Sequence, residues 1–323
     1  MLSGCAGVMR RGVTVPGAAA ILLGAALAAP AVQAGDHGDI NLSISTDDDR
    51  PIERCDQVRV EFGGRRHSLP SARAEKSFTL KKSATPVLEM HLDGPGGMAL
   101  RGGEGADYAV TACLAAAGAT DEEAKAALET IDVGFDGGRL SVSGAGESGR
   151  LVYFLVQVPK DAVLDLRSDN GAIDLRGISG RITARTHNGP LALDGCDGEI
   201  DVAAENGPLS LRAGAGHQRV SVTNGPLDIE LEGSRWEGDG IEAAAENGPV
   251  SLKIPERYES GVSLRMSGNG PVSCSAGCEA TWQPGSGAHS LLFGPAHPVI
   301  RIRSGNGPVS IDSGITARQS RSI

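Results

Sequence analysis

Between residues 170 and 306 the chain returns again and again to Asn-Gly followed by Pro, or once by Ala, starting at Asn170, Asn188, Asn206, Asn224, Asn247, Asn269 and Asn306. The gaps are 18, 18, 18, 23, 22 and 37 residues. Three and five positions after each Asn stand Ile173 and Leu175, Leu191 and Leu193, Leu209 and Leu211, Leu227 and Ile229, Val250 and Leu252, Val272 and Cys274, Val309 and Ile311. Six and four positions before stand Leu164 and Leu166, Ile182 and Ala184, Ile200 and Val202, Gln218 and Val220, Ile241 and Ala243, Ile300 and Ile302, with Gln218 the one misfit. Val262 and Leu264 come one residue early before Asn269, which calls for an extra residue in "SGNG" to keep their side chains inward.

Alternation with period two predicts short strands with one buried face. Each unit is a strand, a corner and a second strand, and it is too short for a crossover helix. A coil of about 18 residues that returns to its start and stacks on the next predicts an all-β fold, a single-chain parallel β-solenoid (β-helix) with Asn-Gly-Pro corners. One coil cannot stand alone. Its four to six apolar side chains yield roughly 1.5–3 kcal/mol each when buried, whereas fixing each backbone residue costs about 1–2 kcal/mol. Stacking completes both the burial and the main-chain ladder. At the corner, Asn and Gly tolerate positive φ and Pro needs no ladder bond. The stacked Asn side chains are expected to bond amide to amide as a structural ladder.

Outside the repeat, Arg10 and Arg11 precede an apolar run ending "APAVQA", the pattern of a secretory signal peptide over residues 1–34. Its removal would take the formal net charge from −10 to −12, a surface that repels nucleic acid. Export also permits disulfides among Cys55, Cys113, Cys196, Cys274 and Cys278. Cys55 with Cys113 is the expected pair, because both lie where the chain is least regular. Cys196 aligns with inward Ile178 and is expected as a buried thiol, while Cys274 fits either a bond to Cys278 or a core position.

Residues 35–84 read as a β-rich, irregular segment holding the strand "QVRVEF" and a basic solvated stretch, "GGRRHSLPSARAEKSFTLKK". The solenoid is expected over residues 85–312 and a flexible tail over 313–323. One short helix is expected near residues 120–130, where Thr120 and Glu123 have capping-box spacing and Ala124, Ala127, Leu128 and Ile131 make an apolar stripe. "RLVYFLVQVP" reads as a well-buried strand.

The order "DYAVTACLAAAG", a short helix, "IDVGFDGGRLSVSG", "LVYFLVQVPKDAVLDLRSDNGAIDLRGISGRITARTHNG" and "HPVIRIRSGNGPVSI" resembles the bacterial putative-adhesin family of β-solenoid domains. The resemblance spans roughly residues 85–312 and implies an extracytoplasmic solenoid of poorly defined function, with no catalytic residues to carry over. Residues 275–299 depart from a regular coil.

The expectation for function is therefore a non-enzymatic scaffold for adhesion-type binding or display. It would be exported to the periplasm, cell surface or medium, with an envelope or extracellular glycan or protein as ligand and no integral membrane anchor after signal cleavage. The alternative is a polysaccharide-active β-helix enzyme, a lyase or glycoside hydrolase, for which Asp194, Asp201, Asp228, Glu205 and Glu246 are the available carboxylates. No catalytic, cofactor or metal-ligating set stands out. "GAGESG" at residues 144–149 fits a dinucleotide motif but precedes a strand, so it reads as a turn.

Overall fold

A computed structural model describes residues 41–46, 52–63, 68–136, 138–144, 149–268, 270–275, 279–282, 289–294 and 298–315. The proposed signal peptide, Asn269, Cys278 and most of the tail lie outside the described residues. The described residues are all-β with one short α-helix, and most of their strands form a large, mostly parallel sheet.

Two parallel ladders make up most of that sheet. The leading ladder holds the strands that run up to the Asn corners: Val163–Arg176, Arg181–Asn188, Glu199–Asn206, Ala215–Asn224 and Glu237–Asn247. The trailing ladder holds those that follow them: Leu191–Asp194, Leu209–Ala213, Leu227–Leu231 and Val250–Pro255. Equivalent residues face one another across each step, so that Ile182 lies between Leu164 and Ile200, and Leu209 between Leu191 and Leu227. The long strand Val163–Arg176 takes part in both ladders, and Leu88–Gly103 pairs alongside it through a register shift between Leu92 and Pro95.

The inward columns are buried as the alternation requires. Ile182, Ala184, Leu209, Leu227, Ile241, Leu252, Ile300 and Ile311 are each fully enclosed in one continuous core. Gln218, the polar misfit, is also enclosed; its Nε2 donates to the Cys196 and Ala215 carbonyls at 3.0 and 2.9 Å, which offsets part of the cost of placing an amide there, while its Oε1 is buried without a partner among the described residues.

The last repeats are stacked out of sequence order. Strand Ile300–Asn306 pairs with Glu237–Asn247 on one side and with Val262–Met266 on the other. Its companion Val309–Ile315 lies likewise between Val250–Pro255 and Val272–Cys274. The segment latest in sequence is therefore threaded between two earlier ones. Met266 faces Ser304 but Val272 faces Val309, one residue out of step, which locates the extra residue read in "SGNG". Beyond Val262–Met266, the antiparallel strands His289–Phe293 and Glu279–Trp282 cover its open edge. This corrects the expectation that Val272 and Cys274 point into a core. They sit on a strand that is paired on one side alone among the described residues, Val272 is 40% exposed, and Cys274 is exposed and disulfide-bonded.

At the other end, Arg150–Pro159 pairs in parallel with Leu88–Gly103 and antiparallel with Tyr108–Ala117. Ser71–Leu80, read from sequence as irregular, is a ten-residue strand on the far side of Tyr108–Ala117. Its charged, largely exposed side chains hide the strand from a periodicity reading; main-chain pairing with its neighbour supplies the order, as is common for edge strands. The helix, Asp121–Glu129, starts where the cap predicts. Thr120 Oγ1 accepts from the Glu123 amide at 3.2 Å, and Ala124 packs inward against the strands Ser71–Leu80 and Tyr108–Ala117.

The strands Asn41–Thr46 and Val58–Gly63 form a separate antiparallel pair. Val58, Val60 and Phe62 pack on Ala115, Leu151 and Tyr153, and the Cys55–Cys113 disulfide ties the segment to the large sheet. That bond closes a loop of 58 residues, the setting in which a cross-link removes most freedom from the unfolded chain.

Candidate functional site

The Asn residues meet as a column of amides. Asn188 Nδ2 donates to Asn170 Oδ1 at 3.1 Å, Asn206 to Asn188 at 3.3 Å, Asn224 to Asn206 at 3.1 Å, and Asn247 to Asn224 at 3.2 Å. The next rung is Asn306, which donates to Asn247 at 3.2 Å. Asn306 is the last of the Asn corners in sequence but not the end of the column. Because its strand is threaded inward, it has a paired strand on each side.

Positive φ is taken by the glycines and not by the asparagines. Gly189, Gly207, Gly225, Gly248 and Gly307 have φ between 146° and 157°, while the sole non-glycine with positive φ among the described residues is Arg257. Each of these glycines also lies on the carbonyl of the glycine one step earlier, so that a Cβ at Gly207 would stand 2.3 Å from Gly189 O. The described Asn residues thus make no use of the tolerance for positive φ that the sequence reading gave them.

Outward side chains pair across steps. Arg176 lies 3.5 Å from Asp194, which also meets Arg212, and Arg212 reaches Glu232 at 2.7 Å. On the leading face Arg181 pairs with Glu199 at 2.6 Å, Arg185 with Asp201 at 3.0 Å, and Glu242 lies within 3.7 Å of both Arg219 and Arg301. Opposite charges 18 residues apart are the sequence signal for several of these pairs, one that strand periodicity alone overlooks.

The carboxylates available for glycoside chemistry are distributed accordingly. Asp194 and Asp201 are held by arginines, Glu205 contacts His187 Nδ1 at 2.5 Å, and Asp228 and Glu246 stand on other strands. Two of the five are thus neutralised by arginines of a neighbouring step.

Asp174 is the most enclosed outward acid, with its side chain 20% exposed beside Arg176 at 3.1 Å. Burial raises its pKa, with the nearby Asp194 acting in the same direction, against the opposing charges of Arg176 and Arg101. A carboxyl raised in the folded state binds its proton more tightly there than in the unfolded chain. Its contribution is therefore full at acid pH and is lost as pH rises from about the ordinary 3.8 through the folded value. Asp174→Asn is expected to match the wild type near pH 4 and to be the more stable at pH 7, by less than about 1 kcal/mol. Thermal melts at the two pH values test this; a variant that loses stability only at pH 7 would show that the arginine pairing outweighs burial.

Cys196 is a buried free thiol whose pKa burial pushes up to about 11. Native protein at pH 8 is expected to leave it unlabelled by iodoacetamide, with labelling only after unfolding, as peptide mapping would read.

Two further features could hold a small ligand. His91, Asp93 and Asp169 bring one ligand atom each within 4.8 Å of one another at the register shift beside Pro95. A cavity of about 440 Å³ opens between the segment around Ile52–Cys55 and the sheet, lined by Ala99, Arg101 and Leu155. In it Arg101 contacts Glu53 Oε1 at 2.5 Å and the Ile52 carbonyl at 3.3 Å. Among the described residues no helix is long and apolar enough to cross a membrane.

The fold and its faces define an all-β protein whose surface is built from repeated strands. No protein-family model matches the chain, and no curated protein does. Solved structures that are similar to it carry the name that the sequence resemblance suggested. A putative cell adhesion protein from Clostridium sporogenes is 9% identical, with 75% of this chain and 100% of that chain covered and a TM-score of 0.33. A putative adhesin from Bacteroides fragilis is 12% identical, with 75% and 97% covered and a TM-score of 0.32. A putative adhesin from Parabacteroides distasonis is 10% identical, with 75% and 97% covered and a TM-score of 0.27.

Proposed function

We propose that this chain is an exported β-solenoid, with coils of about 18 residues over residues 85–312, that serves as an adhesion-type binding or display scaffold in the cell envelope. The observation that carries the reading is the pair of outward faces, on which successive strands present equivalent side chains in register. Such a face suits an extended ligand that makes the same kind of contact at each step. The Asn column belongs to the frame, because its amides are spent on one another. The Cys55–Cys113 bond is compatible with an oxidising compartment.

A glycan array run beside a product assay tests the reading. Retention without turnover is expected. Turnover of a retained polysaccharide would replace the scaffold with a β-helix enzyme, and retention of nothing would leave a purely structural part. Amino-terminal sequencing of exported protein is expected to begin at Gly35.

A further inference from the structure

We propose that the far end of the leading face binds the oxyanions of an acidic glycan, with Arg265 and Arg303 as its contact residues. This rests on the binding-scaffold reading and names the ligand class.

The inference starts from a break in a pattern. On the strands of the two ladders between residues 163 and 315, Arg167, Arg176, Arg181, Arg185, Arg212, Arg219, Lys253 and Arg301 each have a carboxylate within 4.0 Å. Arg265 and Arg303 have none among the described residues. They are also direct partners on neighbouring parallel strands, both exposed, with Arg301 two residues from Arg303 along its strand. Like charges placed opposite one another across a sheet are destabilising. Everywhere else on these ladders a carboxylate relieves that cost, and here a bound anion would.

The pair lies at the threaded step. Arg303 faces Ala244 on one side and Arg265 on the other. Ser263, facing Arg301, adds a hydroxyl to the same surface. Paired guanidiniums beside a hydroxyl match carboxylate or phosphate oxygens, which arginine takes in a two-pronged grip.

The surface points to a glycan before other polyanions or a lipid. Val87 and Val272 are the large apolar side chains that stand exposed among the described residues, so the face offers no anchor for a bilayer or for an apolar protein hot spot. The chain's charge of −10 opposes a densely charged nucleic acid along its whole length. A glycan with one anionic group per sugar can engage a local cationic pair, while acids beyond about 8 Å are screened at physiological salt.

Binding of the full mature chain to polygalacturonate, phosphomannan and neutral dextran, measured by calorimetry, tests the inference. One of the two acidic polymers, carboxylate- or phosphate-bearing, is expected to bind, and dextran is not. R265A/R303A should weaken that binding at least about tenfold, whereas R167A/R185A should leave it unchanged. Raising salt from about 20 to 200 mM should weaken wild-type binding as well, a readout independent of any variant's folding. If the wild type retains a glycan and R265A/R303A retains it equally, this inference is wrong while the scaffold reading stands. Retention of phosphatidylglycerol vesicles but of neither acidic polymer would also overturn it. No glycan retained by the wild type would remove both.

Discussion

Removing residues 299–323 is expected to disorder the repeats on both sides of the gap and to leave the earlier ones folded. Ile300, Ile302, Val309 and Ile311 are buried between the strands before and after them. Losing four such side chains forfeits about 6–12 kcal/mol of burial, comparable with the whole stability of an ordinary domain. Their neighbours also lose ladder bonds on the inner face. In hydrogen exchange, Ile241–Ala245 and Val262–Met266 should lose protection, while Ile182–Leu211 should keep it. Had the repeats stacked in sequence order, the same cut would trim one end and leave Val262–Met266 paired with Glu237–Asn247. Unchanged protection there would sink the threaded arrangement.

The second large effect is expected at Gly207. Its φ is 157°, and an added Cβ would stand 2.3 Å from Gly189 O and 2.8 Å from the carbonyl carbon, both backbone atoms that cannot swing aside. Gly207→Ala combines overpacking of about 1–3 kcal/mol with backbone strain of similar size. Asn206→Ala should cost less. It removes the bond to Asn188 and the one accepted from Asn224, at 3.3 and 3.1 Å, and the half-buried site lets water take up the freed groups. A loss of about 1–2 kcal/mol is expected, with no φ penalty because Asn206 is not left-handed. Urea unfolding of the two variants measures the difference. An Asn206→Ala cost greater than that of Gly207→Ala would place the demand of the corner on the amide.

Much was legible from the chain alone. The spacing of Asn170, Asn188, Asn206 and Asn224 located the corners, and the apolar pairs around them located the strands and their inward faces. Thr120 announced the helix, and Cys55 with Cys113 was identified by exclusion from the regular repeat. These are local or periodic features, written in each unit separately. Ser71–Leu80 was not legible, because this edge strand is largely exposed and charged and carries no regular apolar alternation.

What the sequence determined by itself is thus the unit: two short strands, an Asn-Gly corner and a buried apolar pair on each side of it. The tertiary structure decided the order in which the last units stack. The inward pairs Val262 with Leu264 and Ile300 with Ile302 are interchangeable in size and polarity, so either fits against Ile241 and Ala243. Hydrophobic patterning cannot separate two arrangements that bury the same side chains. The choice falls to non-local pairing, in which the antiparallel strands Glu279–Trp282 and His289–Phe293 cover the edge of Val262–Met266 and leave its other side to Ile300–Asn306. Arg265 and Arg303, 38 residues apart in sequence, stand opposite one another at that step.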